Sequence, residues 1–377
     1  MTGLNGGSAA PLGTITESAS GVGVGEVQKW REATRKKHKL RASARKLLLD
    51  HRIAVCNRWV KDGREVEIYR DEKGRASYQG LIRCGDSRAC AVCAAKIAEV
   101  KRKEIKQARE QWEAEGNSCV IVAYTVSHKL TDSIDKTVAD FDKVRKAVRS
   151  GDFAVKFKER WGIHFSVLSK ECTYGMNGYH PHGHELLFVK GKVNAAALES
   201  ELRREWCRVA NKKGNPVLEK IGVVVQAASE YIDEYITKFG HDPAWACDEE
   251  MTKGAVKVSR SRKGRSMFAL LEDFQNGDEK AGKLFRAYII AMKGKALIYW
   301  SKGARSYFGL GKEKTDLEAV EAAEEGRSYF MSVKLTDWMA VVEADLQAEL
   351  LILAGRGDVE VCRQFVAALP RTGYVIG

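Results

Sequence analysis

Three of the chain's eight histidines fall within five positions, in Tyr179-His180-Pro181-His182-Gly183-His184. Alternate residues of an extended strand share a face, so this spacing allows His180, His182 and His184 to project to one side. Imidazoles gathered in this way, followed by the apolar run Leu186 to Val189, read as ligands of a divalent metal rather than as isolated core or surface residues. If the four-residue loop before them is Gly175 to Gly178, Tyr174 faces Tyr179 and Glu171 lies directly across from His182. Two imidazoles and one carboxylate leave coordination positions open for a phosphate oxygen. Such a mixed site suits Mg²⁺ or Mn²⁺ acting as a Lewis acid. We take His182, His184 and Glu171 as the metal set, with His180 as a further candidate; a register slip of one residue would instead leave Glu171 on a solvated strand face.

A second group lies in Glu230-Tyr231-Ile232-Asp233-Glu234-Tyr235-Ile236-Thr237-Lys238, where two tyrosines at i and i+4 and a lysine share one helical face. A tyrosine hydroxyl has a pKa near ~10 and needs a polarised phosphate or a nearby cation to act as a nucleophile. Lys238 is the cation at hand. A helical tyrosine pair by itself reads equally as core packing; the upstream histidines give it a chemical meaning. The third group is cysteine. Cys90-Ala91-Val92-Cys93 forms a CxxC knuckle, Cys84 precedes it by six positions, and Cys56 offers a fourth thiolate across an insertion with two strand-like segments. Four thiolates close a tetrahedral Zn²⁺ site, which is structural because no position remains for substrate. Cys119, Cys172, Cys207, Cys247 and Cys362 are scattered and read as buried small hydrophobes.

The elements that must position these groups follow from patterning. Residues 1–26 are rich in Gly, Ser, Ala and Thr with no apolar face, which predicts a disordered tail. Residues 27–115 hold a basic helix and the cysteine segment; the helix carries Arg35, Lys36, Lys37, Lys39 and Arg41 and suits either a phosphate backbone or a solvated face. Within 116–242, Val120 to Val126, Ile163 to Thr173 and Tyr179 to Val189 read as strands, and Leu198 to Ala210 and Ala227 to Phe239 as helices. That order predicts an α+β domain with an antiparallel sheet. Residues 243–312 read as a basic, mainly helical extension, and 313–377 as an acidic helical region.

The whole chain has 377 residues, 44% hydrophobic and 30% charged, which excludes disorder throughout. It carries a net charge of +13; from Glu313 onward there are 12 acidic and 6 basic residues, so residues 1–312 carry +19. A body this basic suits a polyanionic partner, nucleic acid being the commonest. No apolar run is long enough to span a bilayer and the N-terminus shows no secretory pattern, so a cytoplasmic protein without membrane contact is expected.

A histidine strand followed by a tyrosine-lysine helix resembles the HUH endonucleases, and more narrowly the plasmid rolling-circle initiators. Ala123-Tyr124-Thr125-Val126-Ser127-His128 looks like their first motif, Glu171 to Val189 their second, and Tyr235 to Lys238 their third, Tyr-x-x-Lys. Gly80 to Gly85 and Ala89 to Ile97 look like the cysteine segment of the same group, and the similarity runs from about Cys56 to Leu310. Two positions depart from the pattern: Gly183 stands where a bulky apolar residue is usual, and Tyr231 stands where single-tyrosine initiators often have glutamate. The Tyr231/Tyr235 pair is instead similar to two-tyrosine phage initiators and rolling-circle transposases. The resemblance implies a metal-dependent nickase that forms a 5′-phosphotyrosine on origin DNA, single- and double-stranded, and works with a host helicase. Tyr235 would be the first nucleophile, Tyr231 the second. A two-tyrosine transposase and a non-catalytic, zinc-dependent DNA-binding repressor remain the alternatives.

Overall fold

The computed structural model describes residues 24–61, 63, 65–217, 219–227 and 264–371. The chain starts with α1 (Val24–Leu47), a single turn at Arg52–Val55, and the hairpin β1 (Val66–Arg70) and β2 (Ala76–Gln79). There follow α2 (Ala91–Ala114), β3 (Ser118–Thr125), α3 (Ile134–Val148), α4 (Gly151–Trp161), β4 (Ile163–Gly175), β5 (Gly178–Val189), α5 (Ala195–Lys212), α6 (Glu219–Gly222) and β6 (Val223–Ala227). After the undescribed residues come α7 (Met267–Gln275), α8 (Glu279–Ala291), β7 (Ile298–Trp300), α9 (Ala304–Tyr307), α10 (Asp316–Ala322), β8 (Ser328–Val333), α11 (Leu335–Glu343), α12 (Gln347–Ala354) and α13 (Val359–Ala367). The architecture is α+β. Among the described residues no helix is long and apolar enough to cross a membrane.

The central sheet has the order β6-β3-β5-β4-β7, antiparallel throughout. Its strands are β-branched and apolar on both faces because both faces are covered. Leu187 and Val189 lie in a core with Phe141 and Val144 of α3, Phe157 of α4 and Trp206 of α5. Leu186 and Phe188, at alternate positions, join a second core with Ile97, Ile105 and Trp112 of α2, Phe268 of α7 and Phe285 of α8. A smaller sheet, β2-β1-β8, packs Ile68 and Met331 against Trp338 of α11 and Leu350 of α12.

Several sequence expectations need correcting. Val24 to Glu26, assigned to a tail, begin α1. Two helices rather than one separate β3 from β4, and β6 was missed: Ala227, expected to open a helix, ends that strand. The rest of Ala227 to Phe239 lies outside the described residues. The boundary at 312/313 does not separate independent units, because β8 from the acidic region pairs with β1 beside the cysteine segment, in the register Val66 to Val333 and Ile68 to Met331. The extension 243–312 likewise gives β7 to the central sheet, pairing Val167 with Trp300.

On the α3 side of the sheet, Glu185 of β5 is completely buried. It accepts hydrogen bonds from the Tyr124 hydroxyl at 3.0 Å, Arg149 at 3.1 Å and Arg145 at 3.3 Å. Burial pushes its carboxyl pKa up, but Arg149 and Arg145 outweigh that and hold it below the usual range. Glu185→Gln should therefore destabilise the fold by roughly 3–5 kcal/mol, since it leaves buried guanidinium without its anion. Chemical denaturation at pH 7 measures this. The folded pKa lies below the unfolded value of ~4.3, so the ionic contribution is complete above that pH and is lost as pH falls through the folded value. The variant should lack this component of acid sensitivity.

Candidate metal and cysteine sites

The hairpin β4–β5 pairs Tyr174 with Tyr179, Glu171 with His182 and Ser169 with His184. The turn is tight: Gly175 pairs with Gly178, whose φ of +90° is left-handed backbone that suits glycine. A Cβ at Gly178 would also lie 3.0 Å from the Lys129 carbonyl oxygen. Ligand atoms of Glu171, His182 and His184 all lie within 4.8 Å of one another. His182 Nδ1 is 3.1 Å from the His180 carbonyl oxygen, an acceptor only, so the neutral imidazole carries its proton there. Its Nε2 then presents a lone pair to Glu171 Oε2 at 3.1 Å. Two acceptors at that distance require a shared cation, either a proton or a metal ion. Burial lowers the His182 pKa, yet the hydrogen bond and charge of Glu171 leave it raised. A backbone carbonyl orienting the far nitrogen is the usual support of a metal-binding histidine.

His180 stacks on His182 with ring centroids 5.3 Å apart, but its Nδ1 meets His128 Nδ1 at 3.3 Å. Burial and the imidazoles of His182, His128 and His184 push its pKa down to about 3, so it stays neutral. His128 follows the end of β3 and belongs to this imidazole row; its sequence signal was its place two residues beyond the apolar strand. Gly183 also has a physical reason. It faces away from the histidines, and a Cβ there would meet Phe141 Cζ at 2.8 Å and Leu168 Cδ1 at 3.1 Å. Phe141 from α3 occupies the volume that a bulky residue at position 183 would fill.

Tyr231, Tyr235 and Lys238 lie outside the described residues. On either side of that segment the chain is held to the histidine-bearing sheet: β6 pairs with β3, and Arg265 exchanges backbone hydrogen bonds of 2.9 and 2.7 Å with Tyr174 of β4.

The structure brings Cys56, Cys84, Cys90 and Cys93 together, all buried. Cys56 ends the Arg52–Val55 turn, Cys84 lies in the loop after β2, Cys90 caps α2 and Cys93 sits in its first turn. The Asp86 carboxylate shapes the knuckle by accepting from the Arg88 and Ala89 amides, both at 2.9 Å. Sulfur separations of 3.6, 3.7 and 3.9 Å fit the ~3.8 Å edge of a thiolate tetrahedron with Zn–S bonds of ~2.3 Å. Cys119, Cys172 and Cys362 are buried and Cys207 is partly buried; Cys247 is outside the described residues.

The basic helix α1 is not an open stripe. Arg35 forms a two-pronged pair with Glu349, at 2.7 and 2.9 Å, and Lys36 pairs with Glu272 at 2.9 Å. Lys37 is half-buried and Lys39 exposed. Arg41 is fully buried, so it does not face a phosphate backbone. α1 packs against α2, α7 and α12, which turns its charges inward.

Mn²⁺ affinity should rise as pH is raised from ~6.5, because the ion must displace the proton on His182 Nε2. Glu171→Gln should weaken binding at least tenfold and move the pH inflection downward, as the group that raises the His182 pKa is removed. Titration followed by Mn²⁺ electron paramagnetic resonance reads both effects; unchanged affinity in this variant would remove Glu171 from the ligand set.

The chain is 25% identical to a protein named Protein rep from Streptomyces lividans, across 73% of this chain and 76% of that protein. It is 27% identical to a neomycin resistance protein from Streptomyces cyanogenus across 33% of this chain and 34% of that one. No protein-family model and no solved structure matches the sequence.

Proposed function

We propose that this chain is a plasmid replication initiator of the HUH endonuclease type, which nicks single-stranded origin DNA by tyrosine transesterification and later rejoins the strands. The observation that carries the reading is the convergence of Glu171, His182 and His184 on one face of a strand pair. Similarity to the Rep protein of Streptomyces lividans over most of both chains supports the replication role.

Mg²⁺ or Mn²⁺, when bound by Glu171, His182 and His184, supplies Lewis-acid polarisation of the scissile phosphate. His180 holds the His182 ring through its carbonyl oxygen, which directs Nε2 toward the carboxylate side of the face. The hydroxyl oxygen of Tyr235 attacks phosphorus, the bond from phosphorus to the 3′ oxygen breaks, and that oxygen leaves as a 3′-hydroxyl. Lys238 favours the ionised phenol by its charge. The 5′-phosphotyrosine conserves one phosphodiester, so a second transesterification closes a strand without ATP. Tyr231 serves as the second nucleophile. The four cysteines hold a structural Zn²⁺, origin DNA is the partner in both single- and double-stranded form, and a host helicase opens the duplex ahead of synthesis.

The test is a nicking assay on a single-stranded oligonucleotide bearing the origin of the replicon that encodes the protein, with and without Mn²⁺. Wild type should cut only with metal and form a covalent adduct. Tyr235→Phe should lose the adduct and keep DNA binding, whereas Tyr231→Phe should nick and then accumulate the covalent intermediate. An adduct formed at full yield by Tyr235→Phe would move the nucleophile elsewhere, and metal-independent cutting would reject the role of the histidine face.

A further inference from the structure

Burial of Arg41 raises a question of charge. Its side chain is wholly shielded from solvent, and none of its three guanidinium nitrogens has a hydrogen-bond partner among the described residues. A buried cation is strongly destabilising unless an anion balances it. Leu40 and Ala44, its neighbours on α1, belong to the same core as Cys56, Cys84, Cys90 and Cys93. Hydrogen bonds from the other three thiols hold the Cys56 pKa well below its ordinary value, and the Arg41 charge adds to them.

Two further cations bear on the same sulfurs. Arg83 precedes Cys84, and Lys96 lies three residues beyond Cys93 on α2. Both pair with one carboxylate oxygen of Glu324, Arg83 at 2.9 Å. Their charged forms are favoured by that carboxylate and by the thiols, against the cost of burial. His38, also buried, is held neutral by burial and by the neighbouring Arg41, Arg83 and Lys96. Three cations and one carboxylate leave two positive charges in excess around the cysteines. A divalent ion in four thiolates carries two negative charges.

We propose that Arg41, Arg83 and Lys96, offset by Glu324, form the built-in counter-charge of a tetrathiolate zinc centre, with Arg41 the positioning residue that stabilises its fully deprotonated form. This rests on the zinc reading above and adds to it a reason for Arg41 to be buried. A site with one thiol still protonated would leave a surplus cation in the core, so the charge balance selects four thiolates around a divalent ion. It also couples α1 to the metal: without it, neutral thiols leave two buried cations uncompensated, and the packing of α1 on α2 weakens.

The experiment measures zinc affinity of the full chain by competition with a chromophoric chelator, with Co²⁺ absorption reporting thiolate ligation, in wild type, Arg41→Lys, Arg41→Met and Glu324→Gln. Arg41→Met should bind zinc about 10- to 100-fold more weakly, the range seen when a supporting group of a metal site is lost. Arg41→Lys, which keeps the charge, should stay close to wild type, and Glu324→Gln, which adds to the positive excess, should bind at least as tightly. Metal removal should lower the melting temperature of Arg41→Met less than that of wild type. Wild-type affinity in Arg41→Met overturns the proposal, as does a loss in Arg41→Lys equal to that in Arg41→Met. If Arg41→Met does not fold, weakened zinc binding in Arg41→Lys or Glu324→Gln overturns it and retention in both supports it. A wild-type chain that takes up neither Zn²⁺ nor Co²⁺ removes the zinc reading and this assignment together, whereas tight binding indifferent to Arg41 removes only the assignment.

Discussion

The pairing of Glu171 with His182 across β4 and β5 governs both faces of the central sheet, because side chains alternate and a shift of one residue inverts every one of them. In the observed register the carboxylate meets the imidazole, and Glu185 points into the opposite layer toward Arg145 and Arg149. A slip by one would set Glu171 against Gly183 or Pro181 and remove it from the imidazole face. The opposing layer resists such a slip. Phe141 fits only where position 183 lacks a Cβ, and the buried Glu185 must reach its two arginines. The chemistry of one face is thus held in place by packing and charge on the other.

Charge follows a similar division between inside and outside. Residues 1–312 carry a large positive excess and the region from Glu313 a negative one, and the fold brings part of the two together. Glu349 binds Arg35, Asp345 lies 3.5 Å from Arg45, Glu324 binds Arg83 and Lys96, and Glu313 binds Lys101 at 2.8 Å. The acidic region is therefore an internal partner for the basic N-terminal segment, tied further by the β1–β8 pairing. Net charge remains +13, so a positive surface for nucleic acid persists, but α1 supplies less of it than its composition implies.

Local signals made the hairpin and the cysteine cluster legible. Two strands joined by Gly-Met-Asn-Gly fix their own register, and the four cysteines lie within 38 residues, closed by a knuckle at a helix start. Elements that depend on distant partners were not legible. β7 has three residues and β8 six, and each exists because a remote strand offers a free edge: β4 for β7, β1 for β8. β6, with Val223, Val224 and Val225, carried a β-branched signal that was passed over. The fate of Arg41 was invisible for the same reason as Glu185. A charged residue on a helix or strand reads as exposed unless its counter-charges, here from segments far away in sequence, are already known to be beside it.

The account's central claim is that the ion held by Glu171, His182 and His184 touches the phosphate that is cut. Metal-specificity rescue measures this contact directly. An origin oligonucleotide with sulfur in place of one non-bridging oxygen at the scissile phosphate should be cut poorly in Mg²⁺ for one stereoisomer, because Mg²⁺ binds sulfur weakly. Replacing Mg²⁺ by the softer Mn²⁺ or Cd²⁺ should restore cutting of that isomer. Equal rates for both isomers and the natural phosphate in Mg²⁺, or a defect that no softer ion relieves, would contradict contact between the ion and the scissile phosphate.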